Sequence, residues 1–216
     1  MNLELDLKRS FLDPKKRHLS INDTTLTYDG KTFLLKEITD IKYGSLTITT
    51  YGIKANKIYE FQFRRHGGDK IRITFSAAGL VKFGKEKEEI YSQIHNAIWP
   101  IIKRLTNQYL ANIHRGESVI IKNLEIKKDG IVITKRPLLN LFRKKAFHIP
   151  WNKVQSSAYN GNYILRSIDK KRIYVSLNCL RDWNTNVINF LIDYLFEGGR
   201  CFKLGEKKFE IIGNEF

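Results

Sequence analysis

The sequence predicts a mainly β chain, α+β in detail, of two small β-barrels or sandwiches, each closed by a C-terminal α-helix. Three observations carry that expectation. Short runs of alternating apolar residues recur between tight-turn signals. Two apolar stripes at helical spacing each follow a group of such runs. A segment near the start also reappears, without gaps, one hundred positions later.

The repeated segment sets the first strands. LSINDTTLTYDG (Leu19–Gly30) matches VIIKNLEIKKDG (Val119–Gly130), with Leu19 on Val119, Ile21 on Ile121, Leu26 on Ile126 and Asp29-Gly30 on Asp129-Gly130. Each Asp-Gly pair lies between β-prone runs, the pattern of a tight hairpin whose turn needs positive φ. Further on, EITDIKYG (Glu37–Gly44) parallels PWNKVQSSAYNG (Pro150–Gly161), which sets Ile38 and Ile41 against Trp151 and Val154. DKIRITFS (Asp69–Ser76) parallels KRIYVSLN (Lys171–Asn178). There Ile71, Ile73 and Phe75 correspond to Ile173, Val175 and Leu177, alternating as a strand with one buried face should.

Each group of strands ends in a helical stripe. Ile90, Ile94, Ile98, Ile101, Leu105 and Ile113 recur from about Lys85 to His114, with a kink expected at Pro100 and a stop at Gly116. So long a helix exceeds what one small barrel needs. The part beyond Pro100 is expected to bridge to the second copy and bury Ile101, Leu105 and Tyr109. In the second group Val187, Phe190, Leu191, Tyr194 and Leu195 share one face, ending at Gly198-Gly199. The expected domains are therefore 1–115 and 116–199, followed by a basic C-terminal tail at 200–216.

The second copy resembles the bacterial pleckstrin-homology-like (PH-like) domain family. The resemblance rests on LEIKKDGIVITKRP, on FHIPW with Ile149-Pro150-Trp151, on KRIYVSLN, and on Asn186 with VINFLIDYL. The first copy has the hairpin and the helix but lacks Ile-Pro-Trp, so its likeness runs through the internal repeat. The likeness covers about residues 17–100 and 118–197. It implies a non-enzymatic β-barrel module, of a kind that often serves as a lipid- or protein-binding adaptor.

Charge narrows the partners. Across 216 residues Lys and Arg number 38 against 22 acids, a net +16. From Lys122 to Arg181 fourteen bases face three acids. A field of that sign attracts phosphate-bearing partners, whether anionic lipid or nucleic acid. No apolar run is long enough to span a bilayer, and the N-terminus has no secretory pattern. The expected location is the cytoplasm, peripheral to the inner face of the membrane if the basic surface binds lipid. Cys179 and Cys201 make no metal spacing and suit a reducing compartment.

The candidate site is a basic connection with an apolar centre. Lys135 and Arg136 precede Leu138, Leu139, Leu141 and Phe142, and Arg143, Lys144 and Lys145 follow; Lys127 and Lys128 lie on the neighbouring hairpin. Cations could hold such a tip at lipid headgroups while Leu139 and Phe142 enter the interface. The bland alternative folds those side chains over the barrel rim. A secondary basic patch is expected at Arg64, Arg65, Lys70 and Arg72, where RRHGGDK lacks the ending of a P-loop. A nucleic-acid surface from Arg166, Arg172 and Tyr174, with Trp151, Tyr159 and Tyr163 nearby, is the weaker reading. Protein–protein adaptor work is a further alternative.

No chemistry is evident. His18, His66, His95, His114 and His148 match no metal pattern. Glu86, Glu88 and Glu89 are assigned to the first turn of the long helix, where they would complement its dipole. Cys179 reads as a small buried hydrophobe. The expectation is no enzyme, no cofactor and no metal.

Overall fold

The computed structural model describes residues 2–10, 13–50, 53–78, 81–135, 144–196, 203–204 and 207–208. Among the described residues the fold is mainly β with three α-helices. Strands β1 (Leu3–Lys8), β2 (Lys16–Ile21), β3 (Thr25–Tyr28) and β4 (Lys31–Leu34) form an antiparallel meander. A single 3-10 turn at Leu35–Glu37 leads into a second meander, β5 (Ile38–Thr50), β6 (Ile53–Arg65) and β7 (Lys70–Ala78). Helices α1 (Val81–Ala97) and α2 (Trp99–His114) follow.

The same order then recurs. Strands β8 (Val119–Ile121), β9 (Leu124–Lys127), β10 (Gly130–Lys135) and β11 (Lys145–Pro150) make a four-stranded meander. After a 3-10 turn at Trp151–Lys153 come β12 (Val154–Tyr159), β13 (Asn162–Ser167) and β14 (Tyr174–Asn178), then α3 (Thr185–Phe196). A two-stranded ladder, β15 (Lys203–Leu204) with β16 (Lys207–Lys208), follows. Among the described residues no hydrogen-bonded ladder joins a four-stranded to a three-stranded sheet, so the sheets are open and no closed barrel forms.

Pairing registers align the halves differently from the gapless match. Ile21 faces Leu26 across β2–β3 as Ile126 faces Ile131 across β9–β10. Leu19 therefore corresponds to Leu124, not Val119. Phe33 and Ile149, both buried, precede the two 3-10 turns, which puts Leu35 opposite Trp151 and Ile38 opposite Val154. The gapless match is slipped by one strand. A slip of that kind preserves the period-2 alternation, so the sequence pattern tolerates it.

The two Asp-Gly pairs differ accordingly. Asp29 (φ 48°) and Gly30 (φ 81°) form the expected two-residue turn with both angles positive. In the second half the loop is Lys128-Asp129, and Gly130 already pairs with Lys127 and Pro150. Asn160 (φ 47°) and Gly161 (φ 70°) make a further turn of the first kind between β12 and β13.

Alternation holds where it was read: Ile71, Ile73, Phe75, Ile173, Val175 and Leu177 are all buried. The expected kink in the long helix is present, two residues before Pro100. The helix breaks at Ile98, and Pro100 takes the second position of α2, where its missing N–H costs nothing. Because α1 begins at Val81, Glu86, Glu88 and Glu89 are not in its first turn; Glu88 instead pairs with Lys57.

Two cores result, joined by α2 and α3. Ile101, Ile102 and Leu105 belong to the first core, Leu110 and Ile113 to the second, and half-buried Tyr109 packs against both. From α3, Val187 enters the first core while Ile188, Leu191 and Ile192 enter the second. Trp99 meets Phe190 edge-on at 5.0 Å. The expected bridging beyond Pro100 is thus observed, with Ile101 and Leu105 buried.

The chain before α3 completes the seam. Asn184 is buried with φ 60°. Its backbone N–H donates to the Ile41 carbonyl and its Oδ1 accepts the Ile41 N–H, each at 2.8 Å. Its Nδ2 donates to the Tyr109 hydroxyl (2.8 Å) and to Asp40 Oδ1 (2.9 Å). Asn186 Nδ2 donates to the Tyr43 carbonyl at 2.9 Å. Together these side chains stand in for a neighbouring strand along residues 41–43 of β5.

Candidate functional site

The primary candidate is divided by the fold. Lys135 pairs with Lys145 at one end of the β10–β11 hairpin, while Lys127 lies beside Gly130 and Pro150 at the other. At about 3.3 Å per residue, the length of β10 separates those ends by roughly 17 Å. Lys127 pairs with Glu125 at 3.2 Å, and the Lys128 carbonyl accepts the Trp151 indole N–H at 3.0 Å. Lys127 and Lys128 therefore lie at the opposite end of the hairpin from Lys135 and Lys145. Arg136, Leu138, Leu139, Leu141, Phe142 and Arg143 lie outside the described residues.

The fold brings other residues to the Lys135 end. Lys135 Nζ donates to the Arg172 carbonyl and sits 4.4 Å above the Tyr174 ring. Arg172 closes a turn that holds exposed Ile168, Lys170 and Lys171. Lys144 and Lys145 are exposed and make no ion pair among the described residues. An open depression of about 650 Å³ is lined by Ile120, Lys122, Glu125, Thr134, Lys135 and Lys144. Lys122 is itself held 3.0 Å from Asp182. The meeting of Lys135 with the Arg172 turn had no local sequence signal, because it joins segments from different sheets.

The correspondence of the halves gives this end a meaning. The β3–β4 turn of the first half is Asp29-Gly30 alone. At the matching place between β10 and β11 the second half carries residues 136–144, rich in cations and apolar groups. A two-residue turn suffices to join such strands, so the additional residues are not needed for closure.

The secondary patch is largely neutralised. Arg64 pairs with Asp40 at 2.9 Å, Arg65 with Asp69 at 2.6 Å, and Arg72 with Glu60 at 2.5 Å. Trp183, from the second half, lies under Arg64 at 4.6 Å, Lys42 at 4.7 Å and Lys70 at 5.9 Å. Burial holds the Lys42 ammonium below its ordinary range; Lys70 and Arg72 repel it in the same sense, against an opposing pull from Glu60. These contacts fasten Trp183 to the outer face of β5–β7. Arg65 turns elsewhere, over Phe33 at 5.0 Å.

The aromatic set for nucleic acid is likewise dispersed. Tyr163 is 4% exposed in the second core, Trp151 packs edge-on against Phe196 at 5.7 Å, and Arg166 donates to Gln155. Tyr159 and Tyr174 do face solvent. Among the described residues no group of three or more His, Cys, Asp or Glu is placed to hold a metal ion. Cys179 is half-buried, with its thiol pushed up by burial. No described helix is long and apolar enough to cross a membrane.

His95 supplies a pH test of the first half. It lies on α1 with Nε2 3.2 Å from the Tyr43 hydroxyl, and burial lowers its pKa. The fold therefore favours the neutral ring. This contribution is complete above the unfolded value of about 6.5 and is lost as pH falls through it toward the lowered folded value. Urea unfolding at pH 7.5 and 5.5 should show a smaller pH-dependent loss in His95→Gln than in the native chain. An equal loss in both would remove His95 from the account.

Comparison with family models, with curated proteins and with solved structures returns no match to this chain.

Proposed function

We propose that this chain is a non-enzymatic tandem module of the PH-like kind, with domains at 1–115 and 116–199 and a basic tail at 200–216. On this reading it associates with anionic membrane surface or lipid headgroups through the Lys135–Lys145 end of the second half. The observation that carries the reading is the contrast at one hairpin: Asp29-Gly30 in the first half, the cationic and apolar residues 136–144 in the second. Three features support it. Lys144 and Lys145 are exposed without acidic partners among the described residues. Lys135 joins them to the Lys170–Arg172 turn. Ile168 and Tyr174, each half exposed, place apolar surface beside these cations. The recurrence of four strands, a 3-10 turn, three strands and a helix supports the duplication.

The test is vesicle co-sedimentation with phosphatidylserine-containing and neutral phosphatidylcholine liposomes over a salt series. Single- and double-stranded nucleic acid are titrated alongside. The native chain is expected to bind the anionic vesicles and release them as salt rises. Each cation near an anionic leaflet contributes about 1 kcal/mol, so Lys144→Glu with Lys145→Glu should weaken binding at least about tenfold. Both side chains are exposed, so melting should be unchanged. Undiminished vesicle binding by the double variant, or binding to nucleic acid alone, would overturn the reading.

A further inference from the structure

The strand β5 is an edge strand, and the second half covers only part of its edge. Among the described residues the order β5-β6-β7 leaves one side of β5 without a ladder. Both Ile41 backbone groups turn to that side, where Asn184 meets them, and the Tyr43 carbonyl turns there to meet Asn186. In an antiparallel strand the outward-bonding residues alternate. Ser45 and Thr47 therefore also direct their N–H and C=O groups outward, beyond the reach of the asparagines. Leu180 packs against Gly44, which marks where the cover ends.

Past Gly44, residues 45–48 of the strand are all exposed, Leu46 at 53% and Ile48 at 40%. From Gly44 to Ile53 no residue is charged, although the chain as a whole carries +16. Edge strands are usually protected from pairing by lysine, proline or a bulge. Here the register shift lies between Ile48 and Thr49 at the β6 ladder, so the edge from Ser45 to Ile48 stays regular.

We infer that the exposed edge of β5, centred on Thr47, is a docking surface for the same edge of a second copy of this chain. The lack of charge along this edge permits that occupant. Two molecules at +16 repel, and the uncharged stretch lets them approach without setting cation against cation. The pattern is also self-complementary. An antiparallel pairing about a two-fold axis at Thr47 sets Thr47 opposite its copy as a hydrogen-bonded pair. Leu46 then faces the partner's Ile48 in the closer, non-bonded positions, twice over. The contact is isologous, so it closes on itself. It joins two three-stranded sheets into one of six strands.

The test is the solution mass of the full chain, 25.3 kDa as a monomer, by light scattering up to about 100 µM, the range suited to a small interface. The native chain should approach twice the monomer mass as concentration rises. Leu46→Lys sets a cation in the contact, and Thr47→Pro removes an outward N–H that β6 does not use. Both variants should stay monomeric and melt as the native chain does. A native chain that remains monomeric overturns the inference, as does a dimer that either variant leaves intact. So does a monomer whose β5 edge takes an unrelated extended peptide.

Discussion

Asn184→Ala is expected to cost about 3 kcal/mol of unfolding free energy, a large loss for one surface-loop-to-helix junction. The side chain bonds Ile41 and Asp40 of the first half and Tyr109 of α2, and two of these bonds matter most. Removing Oδ1 leaves the buried Ile41 N–H without an acceptor, a cost of about 1–3 kcal/mol. The Tyr109 hydroxyl loses its donor in a place where burial and Asp40 already push that hydroxyl's pKa up to about 12. Alanine at φ 60° adds about 1 kcal/mol of backbone strain. Asn184→Gly separates the two contributions, since glycine relieves the strain and still loses the bonds. Urea unfolding should rank native above Gly and Gly above Ala. If Ala unfolds within about 0.5 kcal/mol of native, the seam does not depend on this residue.

Gly130→Ala should be the second large effect, and the contrast with Gly30→Ala shows why. Gly30 has open space where a Cβ would point, so alanine there meets only the positive φ and should cost about 1 kcal/mol. At Gly130 a Cβ would stand 2.3 Å from the Ile149 carbonyl oxygen and 2.9 Å from the Pro150 Cα. Both obstacles are backbone and cannot swing aside. The β10–β11 ladder would have to open at the end that leads into Trp151. A loss of about 3 kcal/mol follows, or roughly 6–12 °C in melting temperature for a chain of this size. Equal melting of the two alanine variants would show that β11 yields without cost.

These two glycines also mark what the sequence could and could not reveal. Asp29-Gly30 and Asp129-Gly130 are the same dipeptide between similar runs, yet one makes the turn and the other begins a strand. Local pattern identifies strands through period-2 alternation, as Ile71, Ile73 and Phe75 illustrate. It does not fix which strand corresponds to which, because slipping by a whole strand keeps the alternation of apolar residues. The break at Ile98 is legible two residues late, since proline disturbs the helix on its N-terminal side. Lys127 and Lys128 are near Lys135 in sequence, on the neighbouring hairpin, whereas β10 holds them apart. The seam had no signature at all: Asn184 in a polar loop is unremarkable until Ile41 is set beside it.

The position of Val187 has a consequence for how the protein is made. That side chain completes the core built by residues 7–105, and its neighbours Asn184 and Asn186 satisfy the β5 edge of the same half. A ribosome delivers them only after the whole second set of strands. The N-terminal half thus waits, with an open core face and an unmet strand edge, until nearly the end of translation. A chain released early, after α2 but before α3, should be a substrate for chaperones and proteases, not a free-standing domain.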